Sequence, residues 1–322
     1  MSTYLIAGGA GFIGSYFVDA LLADVTVEAV KIYDNFSSGR EWHYGSHLDN
    51  TRLTVVRGEI ADLDNLSQVM EGVSHVIHLA SNPDIAAAVT DPDIDFREGT
   101  ALTRYVVEAM RRTGTKTILY ASGSGVYGDR GEEDLVEQAA NMIPISTYGA
   151  SKLAGEALIA SYCFMFGMRA ACFRFGNVVG SRQTHGVSYD FVRRLIKDSS
   201  RLEILGDGKQ SKSYIHVEDV VRAVLIASEK QESYFEAYNI ATDDYITVTE
   251  IGQLACEVLG LSLDAVKFTY TGGDRGWAGD VPVVRLNTDK IKSLGWTCEK
   301  TTRQAMIDSM VLLYENETKG LL

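Results

Sequence analysis

Tyr148 and Lys152 stand four residues apart in the run Tyr-Gly-Ala-Ser-Lys. On a helix that spacing projects both side chains from one face, so an ammonium sits beside a phenol. A phenol has a reference pKa of about 10, and work as a proton acceptor near neutral pH requires a shift of roughly 3 units, about 4 kcal/mol. One positive charge about 4 Å away, at an effective dielectric near 20, supplies about that much. Proton transfer coupled to redox change at a bound alcohol is the chemistry such a pair offers. The same spacing also arises on helices with no such role, as a half-buried tyrosine beside a solvated lysine, so the surrounding elements decide its meaning.

Upstream, Gly8-Gly9-Ala10-Gly11-Phe12-Ile13-Gly14 follows an apolar strand at residues 4–7 and opens a helix at 12–22. In that setting glycines allow a tight turn, let the backbone approach a pyrophosphate and let the helix pack on its strand, while free N–H groups attract the anion. Asp34 ends the next strand, 20 residues after Gly14, where a carboxylate accepts hydrogen bonds from an adenosine ribose and repels a 2′-phosphate. NAD is therefore expected rather than NADP. Arg40 pulls the other way, as a cation that could face such a phosphate, with an exposed surface arginine as its plain alternative.

The pattern around these residues predicts an α/β protein. Strands at 4–7, 27–33, 53–57, 76–79, 117–121 and 169–174 alternate with helices at 12–22, near Leu66, and at 96–112 and 148–166. Such alternation builds a Rossmann-type doubly wound parallel sheet covered on both faces, with ligands at the carboxyl ends of the strands. After Gly176 the pattern loosens into loops at 180–186 and 206–212, a helix at 218–227 and mixed short elements. We expect a nucleotide-binding lobe at 1–176 and a smaller mixed α/β substrate lobe at 177–322, with the helix near 218–228 a candidate to rejoin the first.

Composition narrows the partners. A formal net charge of -13 over 322 residues argues against nucleic acid or an anionic membrane as the main partner, so any anionic ligand needs local donors. The N-terminus lacks a basic region followed by an apolar stretch, and no run approaches membrane-spanning length, which leads us to expect a cytoplasmic protein. Cys163, Cys172, Cys256 and Cys298 are scattered without paired spacing or histidine clusters, so packed thiols are expected and no metal.

Taken together, the chain resembles the extended short-chain dehydrogenase/reductase family, and within it the UDP-glucose 4-epimerase branch of sugar-nucleotide enzymes. The resemblance rests on Gly-Gly-Ala-Gly-Phe-Ile-Gly-Ser (8–15), Asp-Asn-Phe-Ser-Ser-Gly (34–39), His-Leu-Ala-Ser (78–81), Val-Tyr-Gly (126–128) and Tyr-Gly-Ala-Ser-Lys (148–152). It continues through Arg-Phe-Gly-Asn-Val-Val-Gly (174–180), residues 206–219 and Arg-Gly-Trp-Ala-Gly-Asp-Val-Pro (275–282), and so spans essentially the whole chain.

It implies Tyr148 as acid/base, with Lys152 binding the nicotinamide ribose and tuning Tyr148. It implies cofactor contacts from Gly8, Gly11, Phe12, Ile13, Gly14, Asp34, Asn35, Ser37, Ser38, Gly39, Glu59, Ile60, Leu79, Ala80 and Ser81. For a sugar nucleotide it implies Ser124, Asn177, Arg182, Lys212, Tyr214, Arg275 and Val284. It further implies a homodimer in which helices 96–112 and 148–166 pair with their copies.

Four positions depart from the family pattern. Gly123 stands where the catalytic Ser or Thr is usual, leaving Ser122 and Ser124 as flanking candidates for that hydroxyl. Gly99 replaces Asn in the long helix, Glu59 replaces Asp near the adenine, and Lys212 replaces Arg near the diphosphate. Related dehydratases carry Asp-Glu before Val-Tyr-Gly, where this chain has Ser124-Gly125, and relatives acting on UDP-glucuronate place a second Arg where Thr184 stands. The expected reaction is therefore NAD-dependent 4-epimerisation of a UDP-hexose, including N-acetyl forms. Other readings are a different NAD-dependent sugar-nucleotide reductase, decarboxylase or dehydratase, or a non-catalytic dinucleotide sensor.

Overall fold

Five strands, β1 (Ser2–Ala7), β2 (Val27–Asp34), β3 (Leu53–Arg57), β4 (His75–His78) and β5 (Thr117–Gly123), pair in parallel in the order β3-β2-β1-β4-β5. Strands Arg169–Phe175 and Phe235–Ile240 extend the sheet beyond β5 to seven. The computed structural model describes residues 2–319; Met1 and residues 320–322, which end the two expected lobes, lie outside the described residues. Helices cover the sheet, and central strands buried on both faces account for near-continuous apolar runs such as Leu5-Ile6-Ala7 and Val76-Ile77.

Register sets up the ligand end. Ala7 is level with Tyr33 of β2 and with His78 of β4, so the carboxyl ends of the three strands finish together. The connection from β1 runs to β2 on one side, while β4 and β5 lie on the other. A switch of this kind leaves a crevice at the strand ends.

Four helices carry the remaining parts of this region: α1 (Phe12–Ala23), α2 (Leu63–Met70), α3 (Leu102–Thr113) and α4 (Thr147–Phe166). The Ser146 hydroxyl accepts from the Gly149 N–H at 3.1 Å to start α4, and Gly167, left-handed at φ 62°, ends it. Asp62 starts α2 in the same manner, accepting from the Asn65 N–H at 3.1 Å. Buried pairs four residues apart, Leu66 and Met70, Val106 and Met110, Ile159 and Cys163, line one face of α2, α3 and α4 and join Leu5, Val76 and Ile118 in one core.

The long helix expected at 96–112 is not uniform. It begins as a π-turn, Phe96–Ala101, before α3 proper. Gly99 in that wider turn lies against α4: a Cβ there would sit 2.1 Å from the Ser151 hydroxyl oxygen. Thr100 donates to the same oxygen at 3.2 Å.

Two compact units result. The first comprises Met1–Val126, Ser146–Arg174 and Val221–Tyr238; the second comprises Tyr127–Ile145, Phe175–Val220 and Asn239–Leu322. Against the expected boundary after residue 176, residues 127–145 group with the second unit; most of helix Val217–Lys230, the candidate to rejoin the first lobe, groups with the first. One reason is pairing that no local pattern announces: strand Asp134–Leu135 runs beside Arg285–Leu286. The second unit has its own core, in which Phe191, Leu195, Ile251, Leu254, Met306 and Met310 of three helices meet Leu202 and Ile204.

Candidate active site

Within the first unit the glycine turn sits where β1 ends. Gly8 is left-handed at φ 84°, its N–H donates to the Tyr33 carbonyl at 2.9 Å, and a Cβ on it would lie 2.8 Å from the Ala80 nitrogen. The backbone after β4 is thus held against the turn, with the Leu79 and Ala80 N–H groups both donating to the Ala7 carbonyl. Gly14 is equally constrained, since a Cβ would meet the Gly8 oxygen at 2.6 Å as α1 crosses the turn. Gly11 caps α1 with no side-chain hydrogen bond. The first-turn amides of Phe12, Ile13 and Gly14 have no partner inside the helix, which is the donor set a pyrophosphate takes.

Asp34 is buried at the end of β2. One carboxylate oxygen accepts from the Ala10 N–H at 2.9 Å and the other from the Phe36 N–H at 2.8 Å, so each oxygen keeps acceptor capacity. Burial raises the Asp34 pKa despite those two bonds. Asn35 donates to the Glu59 carboxylate at 3.2 Å and accepts from the Ser37 N–H at 3.0 Å. Ser37 and Glu59 are exposed, Ser38 is half-buried, and Gly39 and Ile60 are buried. Arg40 is exposed and donates to the Gly39 carbonyl at 2.9 Å. These groups fit an adenosine dinucleotide: uncapped amides for the pyrophosphate and a fixed carboxylate for the ribose.

The Tyr148 and Lys152 pair lies in the same unit on α4. Lys152 is 3% exposed, donates from Nζ to the Ala121 carbonyl at 2.8 Å, and holds Nζ 5.4 Å from the Tyr148 ring centre and 5.2 Å from that of Tyr120. Burial of the ammonium pulls Lys152 down to about 8, with Asp95 and Glu156 drawing it back up. Burial pushes the Tyr148 phenol up to about 12; a hydrogen bond with the Ser81 side chain opposes this and the Asp95 charge adds to it. Asp95 is buried and accepts from the Thr147 hydroxyl at 2.7 Å and from Asn82 Nδ2 at 2.9 Å. Nothing local flagged Asp95, because its bond to Thr147 spans 52 residues.

Of the two serines flanking Gly123, Ser122 is committed to another partner. Its hydroxyl donates to Glu156 Oε1 at 2.6 Å, and Glu156 in turn accepts from Arg174 at 2.7 and 3.0 Å in a buried ion pair. A carboxylate inside the protein claims the nearest donor, and this one claims Ser122. That corrects the expectation of Ser122 as a catalytic hydroxyl. Ser124 starts a 3-10 turn, Ser124–Tyr127, and is half-buried.

In the second unit the expected substrate residues gather around Asp280. Lys212 Nζ lies 2.5 Å from Asp280 Oδ1, the Gly276 N–H donates to Oδ2 at 3.1 Å, and Arg275 donates to the Asp280 carbonyl at 2.6 Å and to Asp129 Oδ2 at 2.6 Å. Tyr214 is buried, and burial with the Asp280 charge raises its pKa. Asn177 pairs with Tyr214 in a parallel ladder between strands Asn177–Val179 and Tyr214–His216. Val284 is buried next to this cluster, its N–H donating to the Ser211 carbonyl at 3.4 Å. Arg182 is half-buried in the loop at 180–186. Asp129 and Asp280 were not anticipated, although Asp280 lies inside the quoted run 275–282. Among the described residues no group of three or more His, Cys, Asp or Glu side chains could hold a metal ion.

A doubly wound sheet with a glycine turn at its switch point, and a Tyr-x-x-x-Lys helix in the same unit, defines a dinucleotide-binding protein of the short-chain dehydrogenase/reductase class. Residues 4–241 match the model of the NAD dependent epimerase/dehydratase family, and the chain belongs to that family. A UDP-glucose 4-epimerase from Mycolicibacterium smegmatis is 33% identical over 229 residues, 69% of this chain and 72% of its own. A crystal structure of a UDP-galactose 4-epimerase superposes with a TM-score of 0.84 at 34% identity, covering 98% of this chain and 99% of that one. A dTDP-glucose 4,6-dehydratase from Streptomyces venezuelae, solved with NAD bound, superposes at 0.90 but is 23% identical, covering 99% of each chain. Fold is thus common to epimerase and dehydratase and does not separate them. NAD is the cofactor of this family, in agreement with the reading of Asp34. No described helix is long and apolar enough to cross a membrane.

Proposed function

We propose that this protein interconverts the C4 configuration of a UDP-hexose, UDP-glucose and UDP-galactose with their N-acetyl forms, through a 4-keto sugar. The observation that carries the reading is the Tyr148 phenol beside the buried Lys152 ammonium, in the unit that holds the glycine turn. Bound NAD supplies acceptance and return of the C4 hydride. Tyr148 takes the proton of the 4-hydroxyl as the C4–H bond breaks, and returns it to the keto oxygen after the sugar has turned about its diphosphate tether.

Lys152 supplies fixed positive charge to the phenolate and a donor for the nicotinamide ribose. Because burial leaves the free phenol further from neutrality than its reference of about 10, Tyr148 depends on charge brought by the cofactor and on Lys152 for its function as a base. We assign Asn177, Arg182, Lys212, Tyr214 and Arg275 to the nucleotide diphosphate and Val284 to the boundary of the C2 substituent. Ser124-Gly125 in place of an acidic pair before Val-Tyr-Gly supports epimerisation over dehydration, and Thr184 supports a neutral sugar. The relative named an epimerase at 33% identity points the same way.

Tyr148→Phe is the direct test. We expect it to keep NAD and lose at least about 100-fold in turnover, the usual scale for a positioned acid/base. Near-normal turnover in that variant would remove Tyr148 from the mechanism.

A further inference from the structure

The loop that follows β2 grips the glycine turn at a single residue, Ala10. The Ala10 N–H donates to Asp34 Oδ2 at 2.9 Å. Its carbonyl accepts two donors at once, the Arg40 N–H at 3.0 Å and His43 Nδ1 at 2.7 Å, so both lone pairs of that oxygen are taken. A carbonyl has no proton to give, which fixes Nδ1 as the protonated ring nitrogen of His43 in this contact. His43 ends a short 3-10 turn, Glu41–His43, and is 1% exposed. Gly39 lets the loop come this close, since a Cβ there would lie 2.7 Å from the Ala10 Cβ and 3.1 Å from Asp34 Oδ1.

We infer that His43 is a positioning residue for NAD, its bond to the Ala10 carbonyl setting the peptide from which the pyrophosphate-binding amides of α1 start. The Ala10–Gly11 peptide is planar, so holding the carbonyl also aims the Gly11 N–H, which donates to the Gly8 carbonyl at 3.3 Å. Gly11 caps α1 without a side chain, and the turn has further glycines at 8, 9 and 14, whose backbone is loose unless something outside holds it. That hold falls on Ala10. The same loop carries Asp34 and the residues assigned to the adenosine, so the bond from His43, made across 33 residues, joins the pyrophosphate end of the site to the ribose end and lowers the ordering cost of binding. The inference concerns NAD alone and does not depend on which sugar reaction the protein performs.

Release of NAD from the loaded protein tests it without any sugar. The holoprotein is diluted into an NAD-consuming trap, and the loss of bound cofactor is followed in the wild type, His43→Leu and His43→Asn. Leucine fills the space without a donor, whereas asparagine places an N–H at nearly the position of Nδ1. We expect His43→Leu to release NAD about 10-fold faster, the scale of one lost hydrogen bond, and His43→Asn to stay within about threefold of wild type. His43→Phe repeats the comparison with a planar ring should His43→Leu not fold. In the wild type itself, isotope-labelled histidine should show a slowly exchanging proton on His43 Nδ1, identified by its loss in His43→Asn. A merely structural contact would lower the unfolding midpoint of the cofactor-free chain and leave the release rate unchanged. Wild-type release from the variants lacking the donor, equally fast release from His43→Asn, or a proton-free Nδ1 overturns the inference.

Discussion

Lys152 is a buried cation that the fold holds at a cost. Its ammonium is drawn down to about 8 by burial, so below that pH the folded chain carries a charge that the unfolded chain solvates better. The sign follows from linkage: between about 8 and the ordinary lysine value near 10.5 the unfolded state binds more protons, and stability rises with pH. Lys152→Met keeps the length and loses both the charge and the bond to the Ala121 carbonyl. We expect its cofactor-free stability at pH 7 to equal or exceed wild type by about 1–2 kcal/mol. The wild type should recover relative to the variant as pH climbs through 8, and the variant should be inactive. Denaturant midpoints across that range check it, and a large loss of stability in the variant at pH 7 would mean that Lys152 is retained for structure.

The wider turn before α3 and the neighbouring α4 fit together through small residues. Gly99 faces Ser151, and an added methyl would lie 2.1 Å from the serine oxygen, far inside contact distance. Gly99→Ala should therefore destabilise by about 1–3 kcal/mol, with Ser151→Ala recovering part of the loss, as thermal unfolding of the two variants and their combination would report. This explains a departure that the sequence could only mark: Ser151 fills the space that a larger residue at 99 would need.

Elements with strong local pattern were readable in advance. Six of the seven strands of the sheet, the glycine turn, Asp34 and the helix bearing Tyr148 declare themselves through period, cap and turn chemistry, whereas strand Phe235–Ile240 lies in a stretch read only as mixed short elements. The close fit of Gly99 in the π-turn against Ser151 did not declare itself, because Ser151 lies on another helix 52 residues further on, and neither did the Glu156 claim on Ser122, made across 34 residues. Asp95 was hidden for the same reason. Identity at a position was visible, whereas the direction in which a hydroxyl points depends on which buried charge competes for it.

Over the whole molecule, a net charge of -13 surrounds the cations we assign to an anionic diphosphate. Lys212 and Arg275 are held by Asp280 and Asp129 rather than left in an acidic field, which keeps each positioned while neutralising it. A diphosphate must compete with these carboxylates, so recognition is local and not a matter of overall attraction. Among the large apolar side chains left exposed are Phe164 at 81% and Met165 at 72% near the end of α4 and Phe96 at 59%.

Interconversion without net redox change is the central claim, and one assay addresses it. Purified protein carrying its own NAD is incubated with UDP-glucose, and separately with UDP-galactose, while NMR follows the configuration at C4. We expect both reactions to approach the same mixture with no added NAD and no stoichiometric change in the cofactor's oxidation state. Accumulation of an oxidised or dehydrated sugar, or of reduced cofactor in step with product, would contradict the account.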